Sequence, residues 1–202
     1  MSEFNWQKFL KQESRKAIEN YHQAKREDSR WTSYFELPSE VIASEWLGFP
    51  GAEESQIVAA EKRLGVTFPP SYRDFLKVTN GWRYFSGTLR LFSTEEIDWF
   101  CVESQDWIDE WTDIFQSKNI SDEEYFIYGQ GCDVFSQPLR IEYMQTALQI
   151  SECAEDVFLL NPQIIHHDEW EAWILISGSG GANRFRSFQE MLETIGMVNH
   201  MI

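Results

Sequence analysis

The chain has 202 residues, of which 43% are hydrophobic and 15% aromatic, so it can bury a core without disulfide support. Its 33 acidic and 17 basic side chains give a formal net charge of −16 at pH 7, a field that repels nucleic acid and anionic lipid and attracts basic proteins. No apolar run could span a bilayer, no secretion signal is visible, and Cys101, Cys132 and Cys153 lie far apart, which together predict a cytoplasmic protein with reduced thiols.

Residues 1–47 predict an N-terminal helical extension. Apolar residues recur at helical spacing from residue 4 to residue 35, and residues 1–36 are nearly neutral, with seven basic and six acidic side chains. The run Gly48-Phe49-Pro50-Gly51 then interrupts any helix. We therefore expect a boundary at residue 48, followed by one compact α+β domain over residues 48–202.

Two helices are predicted between residues 52 and 81. Glu53 and Glu54 place negative charge at the start of the first, and Gly65 fits the left-handed position after its end. Ser71 is predicted to cap the second helix, and Asn80-Gly81 to end it.

Strand patterns dominate the rest of the chain. Thr88–Phe92 alternates apolar and polar residues, and six further short runs are joined by turns too short for crossover helices, which favours an antiparallel sheet. The six runs are Tyr125–Tyr128, Cys132–Phe135, Leu139–Tyr143, Ala147–Ile150, Val157–Leu160 and Trp170–Ile176. Capping boxes at Ser93–Glu96 and Ser187–Glu190 predict further helices. The predicted fold is α+β: a curved antiparallel sheet of about six strands, with helices packed against it.

Negative charge is concentrated between Glu95 and Glu124, where eleven acidic residues stand against Lys118 alone. Trp107, Ile108 and Trp111 recur at helical spacing there, so the carboxylates between them are expected on the solvent side of a helix. Such a field can steer a basic protein, although it also serves solubility.

This segment supplies the candidate partner-binding residues. Trp99 and Trp107 lie among the acids, and aromatic residues flanked by charge are typical anchors of interfaces, although most tryptophans belong to cores. The candidates are Glu95, Glu96, Asp98, Trp99, Glu103, Asp106, Trp107, Asp109, Glu110 and Asp113.

Catalytic and metal-binding patterns are weak. His166-His167-Asp168-Glu169 lacks the spacing of a metal site and indicates a solvated turn. Gly178-Ser179-Gly180-Gly181 has neither phosphate-loop spacing, although Arg184 and Arg186 could hold an anion after it. We predict no catalytic residue, no metal and no cofactor.

Three sequence patterns in order carry a family resemblance. The first is Ile57…Glu61-x-x-Leu64-Gly65-x-x-Phe68-Pro69-x-x-Tyr72-x-x-Phe75-Leu76-x-x-x-Asn80-Gly81; the others are Leu160-Asn161-Pro162 with Asp168-Glu169-Trp170-Glu171-Ala172-Trp173, and Arg184-Phe185-x-Ser187-Phe188. Over residues 48–196 the chain resembles the SUKH superfamily, which contains fungal Smi/Knr cell-wall-synthesis regulators and bacterial toxin-immunity proteins. Asp168 and Phe68 depart mildly from the family pattern.

The resemblance implies a binding module without a required cofactor. Bacterial members neutralise a cognate toxin domain, often a nuclease, and an acidic protein suits the basic surface with which a nuclease holds phosphate. We therefore expect a non-catalytic immunity protein whose partner is a basic protein toxin, with neither nucleic acid nor membrane as partner. A regulatory scaffold in a cell-wall or signalling assembly is the alternative, and the sequence leaves the oligomeric state open.

Overall fold

The computed structural model describes residues 4–27, 36–85, 89–115, 120–128, 137–152, 156–176 and 181–198. The helices are α1 Trp6–Arg26, α2 Ser39–Ser44, α3 Glu54–Leu64, α4 Pro70–Val78, α5 Phe100–Phe115, α6 Asp122–Tyr125, a 3-10 helix Ile141–Thr146, and α7 Phe188–Val198. The strands are β1 Trp82–Phe85, β2 Leu89–Leu91, β3 Asp98–Trp99, β4 Leu148–Gln149, β5 Asp156–His166, β6 Glu169–Ile176 and β7 Ala182–Phe185.

The strands form an open antiparallel sheet of order β3-β4-β5-β6-β7 and a separate hairpin of β1 and β2. The hairpin borders the larger sheet, because Leu91 bridges to Ser151 and Phe92 N donates to Ile150 O at 2.9 Å. Strands β5 and β6 make the longest pairing, and it closes at the two-residue turn His167-Asp168, where both φ angles are positive. The predicted α+β class with an antiparallel sheet is confirmed.

The two faces of the sheet bury two separate cores. Side chains alternate between the faces along β5 and β6, as the pleat requires. Phe158, Leu160, Trp170, Ala172 and Ile174 join the first core, beneath α1, α3, α4 and α7. Val157, Leu159, Trp173 and Leu175 join the second core, beneath α5 and the 3-10 helix. We call the elements over the second core the α5 layer.

Aromatic contacts attach the N-terminal helix to the first layer. The Trp6 ring lies 5.7 Å from the rings of both Phe75 and Phe188, which belong to α4 and α7. Leu10, one helical turn later, is fully buried in the same core. Helix α1 therefore shares its apolar face with the rest of this layer, and the division of the chain at residue 48 stays a prediction.

Several predicted helix ends are confirmed. Glu53 and Gln56 form a capping box at the start of α3, and Gly65 ends that helix at φ 71°. Glu190 N donates to Ser187 Oγ at 3.0 Å at the start of α7. Ser71 was wrongly predicted as a cap, because α4 begins at Pro70, whose missing N–H suits the first turn. Instead, Ser71 N and Oγ donate to the Glu169 carboxylate at 2.8 and 2.6 Å, which joins α4 to β6.

Other local predictions were wrong. Tyr125 ends α6 instead of opening a strand, and residues 141–143 of the predicted run Leu139–Tyr143 lie in the 3-10 helix. The predicted capping box at Ser93–Glu96 was wrong: Ser93 N and Oγ both donate to the Glu96 carboxylate, and Glu96 N donates to Ser93 O, so these residues close a turn and the helix begins only at Phe100, after β3. Strand β7 was not predicted. The run Cys132–Phe135 lies outside the described residues.

Candidate partner-binding surface

Helix α5 is fixed to the sheet by one apolar face. Phe100, Ile108 and Trp111 are buried in the second core, and the indole of Trp107 packs edge-on against Phe100 and Trp111 at centroid distances of 5.7 and 6.2 Å. Ser104 has non-helical backbone angles, so α5 consists of two helical segments that join at a kink there. This packing leaves the opposite side of α5 in solvent.

The solvent side carries five carboxylates, which we call the α5 carboxylate face: Glu103, Asp106, Asp109, Glu110 and Asp113. All five are exposed, and α5 contains no Lys or Arg. At 3.6 residues per turn, the four after Ser104 fall within an arc of about 100°. The side chains therefore form one continuous acidic stripe.

These carboxylates have no cationic partner among the residues that the structure describes. One of them accepts a side-chain hydrogen bond, because Gln105 Nε2 donates to Asp109 Oδ1 at 2.7 Å. A cationic partner that approaches α5 therefore meets carboxylates that no described cation neutralises.

The other predicted acids of this region are tied to the chain itself. Glu95 accepts from the amides of Gln56 and Asn80 at 3.0 and 3.3 Å. Burial alone would raise the pKa of Glu95, but these hydrogen bonds and those from Thr94 and its own backbone hold that pKa below its usual range. This carboxylate therefore serves local structure.

Glu96 and Asp98 face arginines. Arg90 Nη1 donates to both oxygens of Glu96 at 2.9 and 3.0 Å, and Arg63 lies 3.7 Å from Asp98. Burial opposes ionisation of Glu96, but hydrogen bonds from Ser93 and the Arg90 charge outweigh it and lower the pKa of Glu96. The eight candidate carboxylates thus divide into five on α5 and three before it, Glu95, Glu96 and Asp98, which are bound to other residues of the chain although Glu95 and Glu96 are exposed.

Neither candidate tryptophan is fully exposed. Trp99 is half-buried against the first core, and Trp107 is half-buried against the second. Among the side chains of α5 whose exposure is described, the large apolar ones that are exposed are Val102 and Ile114, near the two ends of the carboxylate face. The assignment of Trp99 or Trp107 as an anchor stays a prediction.

Helix α6 adds a second acidic group to the α5 layer. Ser121 and Glu124 form its capping box, and Asp122 pairs with Arg140, which comes just before the 3-10 helix. Glu123 and Glu124 are exposed. The Tyr125 and Tyr143 rings lie 6.0 Å apart, so α6 contacts the same 3-10 helix that packs against α5.

A fully buried carboxylate, Glu171 of β6, lies beneath α6. Its Oε1 accepts from Tyr128 Oη and Arg184 Nη1, both at 2.8 Å. Its Oε2 accepts from Tyr125 Oη and Trp173 Nε1 at 2.8 Å and from Asn161 Nδ2 at 3.0 Å. Five donors therefore saturate one buried anion, as burial of a charge requires.

Arg184 of β7 completes this buried network. Its guanidinium also donates to Tyr125 O and lies 3.8 Å from the centroid of the Tyr125 ring. Burial and the Glu171 charge raise the pKa of both Tyr125 and Tyr128, so both phenols stay protonated as donors. His166 Nε2 lies 2.7 Å from Tyr128 Oη, and burial lowers the pKa of His166.

This network was not predicted from the sequence, which suggested Arg184 only as a residue that could hold an anion after the Gly178–Gly181 loop. The structure buries Arg184 against Glu171, so it is not available for an outside anion. The only signal in the sequence was a charged residue inside an apolar strand, between Trp170 and Trp173. Its partner could not be inferred, because the pairing depends on the register of β6 and β7, which sets Trp173 opposite Arg184.

The described residues give little support for a metal site, a membrane-spanning helix or an anion-binding cleft. They contain no group of three or more potential metal ligands and no helix long and apolar enough to cross a membrane. A cleft of about 450 Å³ lies between Pro50, Asn80 and Arg90, but the charge of Arg90 is already neutralised there by Glu96 and Glu152. Residues 178–180 of the predicted glycine loop lie outside the described residues.

Comparisons with known proteins give one family. A search of curated proteins finds no match. The model of the SMI1 / KNR4 family (SUKH-1) matches residues 51–194, which include α3 to β7, the buried network and most of α7. This match covers well over half of the chain, and the chain therefore belongs to the SMI1/KNR4 (SUKH-1) family.

Proposed function

We propose that this chain is a non-catalytic, cytoplasmic immunity protein that neutralises a cognate basic toxin of the nuclease type. The α5 carboxylate face docks on the cationic surface with which the toxin holds nucleic acid. Family membership supports an interaction or immunity module in general, and the family is generally non-catalytic. The acidic face is the observation that favours a basic partner.

The charge arrangement carries this proposal. Five exposed carboxylates on one helix, without a cationic neighbour among the described residues, form a field that speeds the approach of a positively charged protein. Solubility alone does not require such a cluster, because charges of both signs spread over the surface serve that purpose. Glu95, Glu96 and Asp98 add to the field at long range, while their own contacts hold them in place.

The first test captures the partner. The tagged chain is expressed in its native cells, and bound proteins are identified by mass spectrometry beside two variants. One variant neutralises the face: Asp106→Asn, Asp109→Asn, Glu110→Gln and Asp113→Asn. The control removes four exposed charges from the N-terminal region: Glu19→Gln, Glu27→Gln, Glu36→Gln and Glu40→Gln. We expect one basic protein with the wild type and the control, and loss of that protein with the α5 variant.

The second test measures the rate of association with the purified captured protein. At low salt we expect the α5 variant to associate about 10–100 times more slowly than the control, and the two rates to converge as salt rises. Equal rates for the two variants would remove the α5 face from the interface. Capture of several unrelated, non-basic partners would instead favour a regulatory scaffold.

A further inference from the structure

Two large apolar side chains stand exposed, side by side, in the α5 layer. Phe126 is 44% exposed and Ile127 is 56% exposed, directly after α6. A single exposed apolar residue is ordinary, but adjacent ones on a fixed segment form a patch that a partner can cover. Contacts of the residues on either side hold this pair outward.

The buried network around Glu171 holds the segment that contains Phe126 and Ile127 in place. Tyr125 and Tyr128, on either side of the pair, both turn inward and donate to Glu171 at 2.8 Å. With both ends of the four-residue segment fixed to one buried carboxylate, the two middle residues face solvent. Phe126 N donates to Asp122 O at 3.0 Å, and the Phe126 ring contacts the Tyr125 and His166 rings edge-on.

This fixed geometry lowers the cost of binding. A side chain that is already ordered loses little conformational freedom when a partner covers it. Apolar and aromatic side chains inside a charged rim are the usual energetic centre of an interface. Trp99 and Trp107 fit this description less well, because both are half-buried in the two cores.

The charged residues beside Phe126 and Ile127 indicate what kind of protein surface covers this pair. Glu123 and Glu124 are exposed beside the pair, and α6 lies in the same layer as the α5 carboxylate face. Both elements turn their buried side chains toward the second face of the sheet, so their exposed sides both point away from it. A protein that covers this patch meets the exposed carboxylates of Glu123 and Glu124 beside an apolar centre, which suits an apolar recess within a basic surface.

We infer that Phe126 and Ile127 form the apolar anchor of the docking surface, and that Glu171 positions them through Tyr125 and Tyr128. The occupant is an apolar recess on the same basic protein that the α5 carboxylate face attracts, so the inference rests on the proposed function. It adds a division of roles: the α5 face sets the rate of approach, and the anchor sets how long the complex lasts.

The anchor test compares Phe126→Ala with Ile127→Ala against Val58→Ala. Val58 is 48% exposed on α3, over the opposite face of the sheet, so its variant controls for loss of an exposed apolar side chain. The probe is the basic protein captured by the wild-type chain. We expect the double variant to dissociate about 10–100 times faster, with an unchanged dependence of association on salt, and Val58→Ala to behave as the wild type.

The positioning test uses Tyr125→Phe with Tyr128→Phe, which keeps both rings and removes both hydroxyl donors. We expect faster amide hydrogen exchange at residues 125–128 and faster dissociation, although the exposed pair is intact. A role in stability alone would lower the melting temperature and leave dissociation from the partner unchanged. A photo-crosslinker at the Phe126 position supplies a second readout that does not depend on affinity, with the Val58 position as its control.

The outcomes separate the two proposals. If neutralising the α5 face slows association but the Phe126 and Ile127 variant dissociates like the wild type, the anchor is wrong and the proposed function stands. If the anchor variant dissociates faster while the α5 variant associates normally, the electrostatic part of the proposed function is wrong. If no basic protein is captured, both fail.

Discussion

Neutralising the α5 carboxylate face should stabilise the free protein while it weakens binding. After Ser104, four pairs of carboxylates on α5 are separated by three or four residues, so like charges lie next to each other on the helix surface. Asp113 also lies in the last turn, where the helix dipole disfavours negative charge. The variant combines Asp106→Asn, Asp109→Asn, Glu110→Gln and Asp113→Asn.

The expected gain follows from these pairs. A like-charged pair at this spacing costs about 0.2–0.5 kcal/mol, so removal of all four should raise the free energy of unfolding by about 1–2 kcal/mol. For a chain of this size that corresponds to a rise in melting temperature of about 2–8 °C. Salt screens the repulsion, so the gain should shrink as NaCl is raised to about 1 M.

Thermal unfolding monitored by circular dichroism at low and high salt provides the measurement. Glu96→Gln is the matched control, because Glu96 accepts from Arg90 and Ser93, and its variant should melt lower than the wild type. A melting temperature that falls in the α5 variant would show that these carboxylates make favourable contacts within the chain. The reasoning about an uncompensated acidic face would then be wrong.

Three further predictions concern the buried network and the turns. Glu171→Gln should lower the free energy of unfolding by about 3–5 kcal/mol in urea titrations, because the buried Arg184 loses its anion and the new amide faces donors; a loss under 1 kcal/mol would contradict this. Since the pKa of His166 is lowered in the folded chain, its contribution is complete above pH 6.5 and declines as pH falls through 6.5 toward the folded value. His166→Asn should remove that part of the pH dependence, and an unchanged slope would refute the assignment. Gly81→Ala should cost more than Gly65→Ala in melting temperature, because both have positive φ but only at Gly81 does a new Cβ approach a carbonyl, Leu91 O at 3.1 Å; equal losses would count against it.

Local signals predicted helix ends and the exposed charge on α5. The Glu53 capping box and Gly65 depend on neighbours within a few residues, and so does the alternation of carboxylates with Ile108 and Trp111. These patterns act over one or two helical turns, so they depend on neighbouring residues and not on tertiary contacts. The α5 stripe was accordingly the part of the candidate site that sequence reasoning located best.

The features that the sequence analysis did not predict depend on tertiary contacts. Tyr125–Tyr128 has the apolar, aromatic composition of a strand, but both phenols are held by Glu171, more than forty residues away. The pairing of Glu96 with Arg90 and of Asp98 with Arg63 likewise depends on how α3 and the β1–β2 hairpin are placed. One sequence without its tertiary neighbours cannot separate acids that are paired within the chain from acids that are not.

Two features that do not favour folding, the buried Glu171–Arg184 pair and the carboxylates on α5, lie on the same face of the sheet. A buried ion pair is often no more stabilising than apolar residues of the same volume, and the carboxylates on α5 repel one another. Folding alone would favour a neutral core at Glu171 and mixed charges on α5. The network holds Tyr125 and Tyr128 inward on either side of Phe126-Ile127, and α5 packs on the same face of the sheet, so both features fit the docking surface that we propose. Glu171→Gln leaves Arg184 without its anion and should lower stability, whereas neutralising α5 removes repulsion and should raise stability, and both changes should weaken the complex.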